Sequence, residues 1–292
     1  MTACHVSRIL NLLDMKNFLF FISSLFIAVN SMANVTVLDT SYVDVVYRYT
    51  VIDTIKQQKK EIMDVTLVGK NFVKYQSWGA ILVDSAWVEK YGEIRNCNNN
   101  EERRFYHALN KQFKPHITFL IKDLSAKSLF YKEFIGDFLY YYEPLPEFKW
   151  VISEDNTKEL LGYQCRMATV DFRGRHWTAW FAEDLAIPFG PWKFEGLPGM
   201  ILEMYDDSGT HRFEATEIIN NRCEIKKPTQ NYIDTYYFET TRERFNKSKM
   251  EYCLDPVTKL VSNGIMTNPT DSEGNPKAPV RRRQFYNPLE LE

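Results

Sequence analysis

The stretch Asp206-Asp207-Ser208-Gly209-Thr210-His211 places hydroxyls, two carboxylates and an imidazole within six positions, the residue types of nucleophilic hydrolysis. A catalytic serine needs a base and an orienting acid, and local markers such as Gly-x-Ser-x-Gly are absent, whereas Asp, Ser and Gly are ordinary turn formers that bond their own backbone. The stretch therefore reads as a hairpin turn. A hydrolase whose site is assembled from distant His, Asp and Ser residues is the alternative. His107, His116, His176 and His211, with Asp206 and Asp207 as oxygen donors, are the metal candidates. They include no HExxH motif and no closely spaced pair, so neither metal nor cofactor is expected.

Other residues suit binding better than bond breaking. Trp177, Trp180 and Trp192 lie close together in the chain, with Arg173, Arg175 and Lys193 as the nearest cations. On a regular strand Trp177 and Trp180 face opposite ways, so one serves the core and the other can floor a groove for an apolar ligand or an extended peptide. The arginines can receive a carboxylate or phosphate, although arginines at a hairpin tip are commonly solvated.

Residues 190–204 are written in the most restrictive alphabet of the chain. Glycine opens positive φ and proline fixes φ near −65°, so Gly190, Pro191, Gly196, Pro198 and Gly199 together define one loop shape. With Trp192, Lys193 and Leu197, this loop completes the candidate binding set Arg173, Arg175, Trp177, Trp180, Trp192, Lys193, Gly196, Leu197, Pro198 and Gly199. If Gly199 has positive φ, Ala there should destabilise by about 1 kcal/mol or more; if it is extended, the change should matter little.

Gly196-Leu197-Pro198-Gly199-Met200-Ile201 resembles the motif that names the GLPGLI family, cell-envelope proteins found mainly in Bacteroidetes, with Met200 in place of leucine. The blocks at 158–165, 174–180, 187–192 and 287–290 resemble the family as well. The resemblance implies a cell-envelope protein and brings no assigned chemistry with it.

The N-terminus agrees with export. Lys16 precedes an uncharged run over 18–29, and Ser31-Met32-Ala33 supplies small residues at −3 and −1 of a cleavage site, so residues 1–33 read as a signal peptide whose native start is either Met1 or Met15. The run is too short to span a bilayer comfortably, so no transmembrane segment is expected in the mature chain. Losing Arg8, Lys16 and Asp14 leaves 34 basic and 37 acidic residues. That balance gives no long-range attraction to a phosphate backbone, which argues against nucleic acid as a partner. Cys97, Cys165, Cys223 and Cys253 survive cleavage, and an oxidising compartment would let them pair in any of three ways or stay buried and reduced.

The positioning elements follow from periodicity. Alternation from Tyr42 onward gives a half-buried strand, followed by strands at 62–68 and 71–76. A helical insert at 84–115 comes next, capped first by Asp84 or Ser85 and then by Asn100. Strands resume at 117–121, 128–134, 137–142, 149–153, 163–172 and 176–181. After the Gly/Pro loop come strands at 200–205 and 211–219, with an edge strand at 223–227 and an exposed helix at 239–252. The fold class is therefore mainly β (α+β): a curved antiparallel sheet in one domain over 34–265, with a small helical insert and an irregular tail over 266–292 that Phe285, Tyr286 and Leu289 can anchor. The functional expectation is a non-enzymatic, exported protein, periplasmic or held in the cell envelope, binding an apolar ligand, peptide or partner beside the Gly/Pro loop. An accessory module of an outer-membrane transport or peptide-secretion system is a further alternative.

Overall fold

The first strand is long because its sequence satisfies two cores at once. In β1 (Val35–Ile52), Val43, Val45, Tyr47, Tyr49 and Val51 point into the main core while Val46 joins a second cluster on the opposite face. Branched and aromatic residues suit that pleated, two-sided burial. The computed structural model describes residues 35–53, 55–92, 99–116, 118–220, 222–228, 237–267, 273 and 283–292. The leader at 1–33, the Met15 start and Cys97 lie outside them.

Around β1 the chain builds one large antiparallel-dominated sheet that does not close. On one side lie β2 (Lys59–Gly69), β3 (Phe72–Ser77), β4 (Phe119–Asp123), β5 (Ser128–Phe134) and β6 (Phe138–Pro144), ending in the short parallel strand β13 (Phe238–Glu239). On the other side the order is β11 (His211–Ile219), β10 (Met200–Asp206), β9 (Arg175–Ala182), β8 (Tyr163–Phe172) and β7 (Val151–Leu160). A further strand, β12 (Glu224–Pro228), pairs with the N-terminal part of β1 rather than extending the sheet at its edge.

Among the described residues four helices accompany the sheet: α1 (Trp78–Tyr91), α2 (Asn100–Phe113), α3 (Arg242–Leu254) and α4 (Pro256–Ser262). The first corrects the sequence reading. It begins at Trp78, six residues before Asp84, and Ser77 makes no side-chain cap. The cause is tertiary: Gly79 lies against the Phe113 carbonyl so closely that a Cβ there would sit 2.2 Å from that oxygen, which sets α1 against the end of α2. The cap of α2 is Asn99, not Asn100, with its side chain accepting from Glu102 N at 2.9 Å.

Cys223 is disulfide-bonded, and its partner lies outside the described residues. Cys165 and Cys253 are free and buried. Burial pushes the Cys165 thiol up to about 11, which keeps it protonated and unreactive at neutral pH.

The described end of the tail, residues 283–292, has no regular structure and packs against the sheet. Arg283 forms a two-point contact with the buried Asp53 carboxylate at 3.0 Å to each oxygen, and Tyr286 N donates to Asp53 at 3.1 Å. Asn287 Nδ2 donates to the Ile52 carbonyl, and Leu291 N donates to the Arg173 carbonyl. Phe285 and Leu289 pack on the main core.

Candidate functional site

The Gly/Pro loop links β9 to β10 and folds back over the main core. Its backbone is closed by Gly196 N to Pro188 O (2.8 Å), Ile201 N to Phe189 O (3.1 Å) and Gly190 N to Phe194 O (3.1 Å). Gly196 has φ +92, the positive-φ role expected of a loop glycine. Gly199 does not. A Cβ on Gly199 would lie 2.1 Å from the Ala182 carbonyl oxygen, so this glycine is required by close backbone approach and not by its dihedral.

Side chains hold the loop from below. Lys122 of β4, fully buried, donates to the carbonyls of Lys193 (2.9 Å) and Phe194 (3.3 Å) and pairs with Glu195 at 2.8 Å. Thr66 donates to the Gly190 carbonyl, Tyr47 to that of Ile201 and Trp150 Nε1 to that of Glu195. Buried carbonyls need such donors, and these contacts fix the loop as part of the interior.

Three of the loop's own side chains point inward. Phe194 is fully buried, with ring centroids of Trp177 at 5.0 Å, Phe148 at 5.4 Å and Trp192 at 5.6 Å. Burying a phenylalanine side chain completely contributes about 1.5–3 kcal/mol. Trp177, Trp192 and Leu197 are buried with it, leaving only Gly196 and Pro198 of the loop candidates exposed.

Lys193 is also fully buried, and it anchors an ionic cluster. Its ammonium contacts Glu143 of β6 at 2.5 Å, Glu290 of the tail and the Tyr141 hydroxyl at 3.2 Å. Arg242, at the start of α3, reaches Glu290 at 3.1 Å and Glu143 at 3.8 Å, and Arg173 reaches Glu143 at 3.2 Å. Burial pushes the Glu290 carboxyl up, but Lys193, Arg173 and Arg242 outweigh that and hold it below the usual range. The sequence reading singled out the cations. It missed Glu143, Glu290 and Arg242, which lie roughly 50 to 100 residues from Lys193 in the chain.

A second polar group sits at the base of the β10–β11 hairpin. Arg175 pairs with Asp206 at 2.8 Å and donates to Asn287 Oδ1 and the Pro288 carbonyl, tying the hairpin to the tail. Asp206 also accepts from the backbone of Thr210 and His211 and from Ser208 Oγ, so Ser208 is a turn residue here. His211 is fully buried with Nδ1 2.7 Å from the Tyr49 hydroxyl, and it does not meet Ser208. Among the described residues no group of three or more His, Cys, Asp and Glu side chains is placed to hold a metal ion.

Burial, reinforced by Arg175, pushes His211 down to about 4 from an ordinary value near 6.5. The unfolded chain then binds this proton before the folded chain does, so the stability that depends on a neutral His211 is complete above pH 6.5 and is lost as pH falls toward 4. The loss should reach about 3 kcal/mol at pH 4. Urea unfolding at pH 7, 5.5 and 4.5 should show the decline, and His211→Gln should flatten it. An equally steep decline in that variant would assign the effect to other groups.

Trp180 is the exception among the indoles. It lies on the face of β9 opposite Trp177, and it is half-buried beside the half-buried Met167, Thr169 and Tyr205. Lys158 Nζ stands 4.2 Å over its ring, Arg212 stands 5.6 Å from the Tyr205 ring centre, and both cations pair with the buried carboxylate of Glu203. The main helix contacts are with β2, β3 and β6, on the other half of the sheet. Near the β8–β9 turn, an open hollow of about 350 Å³ is bounded by residues 171–176 and Glu292.

No protein-family model matches the chain and no curated protein matches it. Among solved structures, PNGF-II in a C2 space group aligns with a TM-score of 0.45 and 10% identity, covering 74% of this chain and 33% of that one. PNGF-II in a P21 space group aligns with a TM-score of 0.44 and 11% identity, covering 74% and 34%. The chain spans about a third of the length of those proteins, and a likeness of this degree bears on neither activity nor ligand.

Proposed function

We propose that this chain is an exported cell-envelope protein of the GLPGLI type that binds a partner polypeptide, without catalysis, on the outer face of the sheet around Trp180. The observation that carries the reading is the half-buried strip of Met167, Trp180 and Tyr205, flanked by Lys158 and Arg212, on the half of the sheet away from the main helix contacts. Aromatic rings beside cations are the groups that dominate polypeptide interfaces. The cations of the strip and those of the loop and the β8–β9 turn are paired with carboxylates, but Lys193 and Arg175 are buried whereas Arg212 is 47% exposed, which favours the outer strip over the loop as the contact surface.

Two measurements test this. N-terminal sequencing of the protein recovered from the envelope fraction should read from Asn34, and a mature form retaining Phe18 would refute export by cleavage. A photocrosslinker at Met167 should capture one partner in intact cells, capture should be lost with Trp180→Ala, and a crosslinker at His107 on α2 should capture none. Equal capture from both positions, or capture unaffected by Trp180→Ala, would end the proposal.

A further inference from the structure

The other half of the sheet, on the face away from the Gly/Pro loop, carries amines that the contacts above do not involve. Lys74 of β3 and Lys132 of β5 flank Phe119 of β4, with Nζ atoms 4.8 and 4.5 Å from its ring centroid. The register explains this: Phe119 is paired with Lys132 on one side and with Gln76 on the other, and Gln76 is two residues from Lys74, so all of them share a face. Lys132 Nζ also lies 4.1 Å from the Tyr237 ring centroid.

The two lysines are 8% and 5% exposed. Lys74 Nζ donates to the Lys226 carbonyl at 2.9 Å, with the Asp84 carboxylate as the opposing charge. Lys132 Nζ has aromatic rings as its neighbours, and among the described residues it makes no hydrogen bond and no ion pair. Burial pushes Lys132 down to about 8; burial with the charges of Lys132 and Lys226, against Asp84, pushes Lys74 down to about 7. At pH 8 an ordinary lysine is neutral in about one molecule in 250, so the free-base fraction of Lys132 is about a hundredfold larger.

We propose that Lys132 is a carbamate-forming lysine: its Nζ lone pair adds to the carbon of dissolved carbon dioxide, and the anion formed draws a proton from solvent onto Lys74, which becomes its counter-charge. A C–N bond forms, one C=O π pair moves onto oxygen, and the nitrogen proton leaves to water, giving Lys132 Nζ–COO⁻. Carbon dioxide is small and uncharged, so it loses little solvation on entering a site walled by the rings of Phe119 and Tyr237. The product is an anion, and Lys132 has no anionic partner among the described residues. Carbamate formation replaces two largely neutral amines with an anion and an ammonium on the same face, so the charge pattern there follows the carbon dioxide level.

The full chain at pH 8 in ¹³C-bicarbonate, trapped with an oxonium alkylating reagent and mapped by peptide mass spectrometry, provides the test. Trapping at Lys132 should exceed that at the exposed Lys59 by at least about tenfold, depend on bicarbonate, and fall severalfold in Lys74→Gln. Label confined to the α-amine, spread evenly over lysines, absent from Lys132, or undiminished in Lys74→Gln would overturn it. The comparison among lysines uses the unaltered protein, so it stands even if a variant fails to fold.

Discussion

Glu143→Gln should be the most damaging conservative substitution in the chain, at about 3–5 kcal/mol. Its carboxylate touches three cations, Lys193, Arg173 and Arg242, and its side chain is 9% exposed. Removing that charge without changing shape leaves three cations with Glu290, and the exposed Glu243 on Arg242, to balance them, and an uncompensated buried charge is the expensive outcome. Lys193→Met should cost about half as much, because the two arginines then balance the two carboxylates. This ordering is the informative part. Urea unfolding of both variants should show midpoints falling with unchanged slopes, and a larger loss for Lys193→Met than for Glu143→Gln would sink the charge-balance account.

Gly199→Ala should cost about 3 kcal/mol, near the upper end of ordinary overpacking. The atoms a Cβ would meet are the Ala182 carbonyl oxygen at 2.1 Å, its carbon at 2.6 Å and Glu183 Cα at 2.9 Å, all backbone and none able to rotate away. Gly196→Ala is the internal comparison. Its φ of +92 imposes a conformational penalty of about 1 kcal/mol, but the nearest atom to its Cβ is 3.9 Å away. Thermal unfolding should rank Gly199→Ala well below Gly196→Ala in stability, and the reverse ranking would remove the close approach as the cause.

Strands β5, β8 and β11 were legible to the residue, since each has dense branched or aromatic residues bounded by turn formers. The strand at 149–153 was read too short, because β7 continues to Leu160 through Glu154, Asp155 and Lys158. It is an edge strand exposed over most of its length, with an irregular register between Ile152 and Thr157, so no apolar alternation records it. The start of α1 was illegible for a different reason: a contact between Gly79 and Phe113, set by the fold, overrides the local capping signal at Asp84.

The loop's rigidity was legible because glycine and proline act on their own backbone. The ionic cluster beneath it was not, since Lys193, Glu143 and Glu290 lie far apart in sequence and a surface lysine is spelled the same way as a buried one. The sequence did place Trp177 and Trp180 on opposite faces, though not which of them would be covered.

Residues 283–292 come after every element they fasten: Asp53 beyond β1, the β8–β9 turn, and Lys193 in the loop. Asp53 and Arg283 are 230 positions apart. A chain emerging N-terminus first can assemble its strands early, but it cannot neutralise Lys193 with Glu290 or Asp53 with Arg283 until this segment arrives. Completion of folding is thereby tied to delivery of the C-terminal segment, and a chain whose last residues have not yet emerged would remain unlocked, available to chaperones and proteases until that delivery.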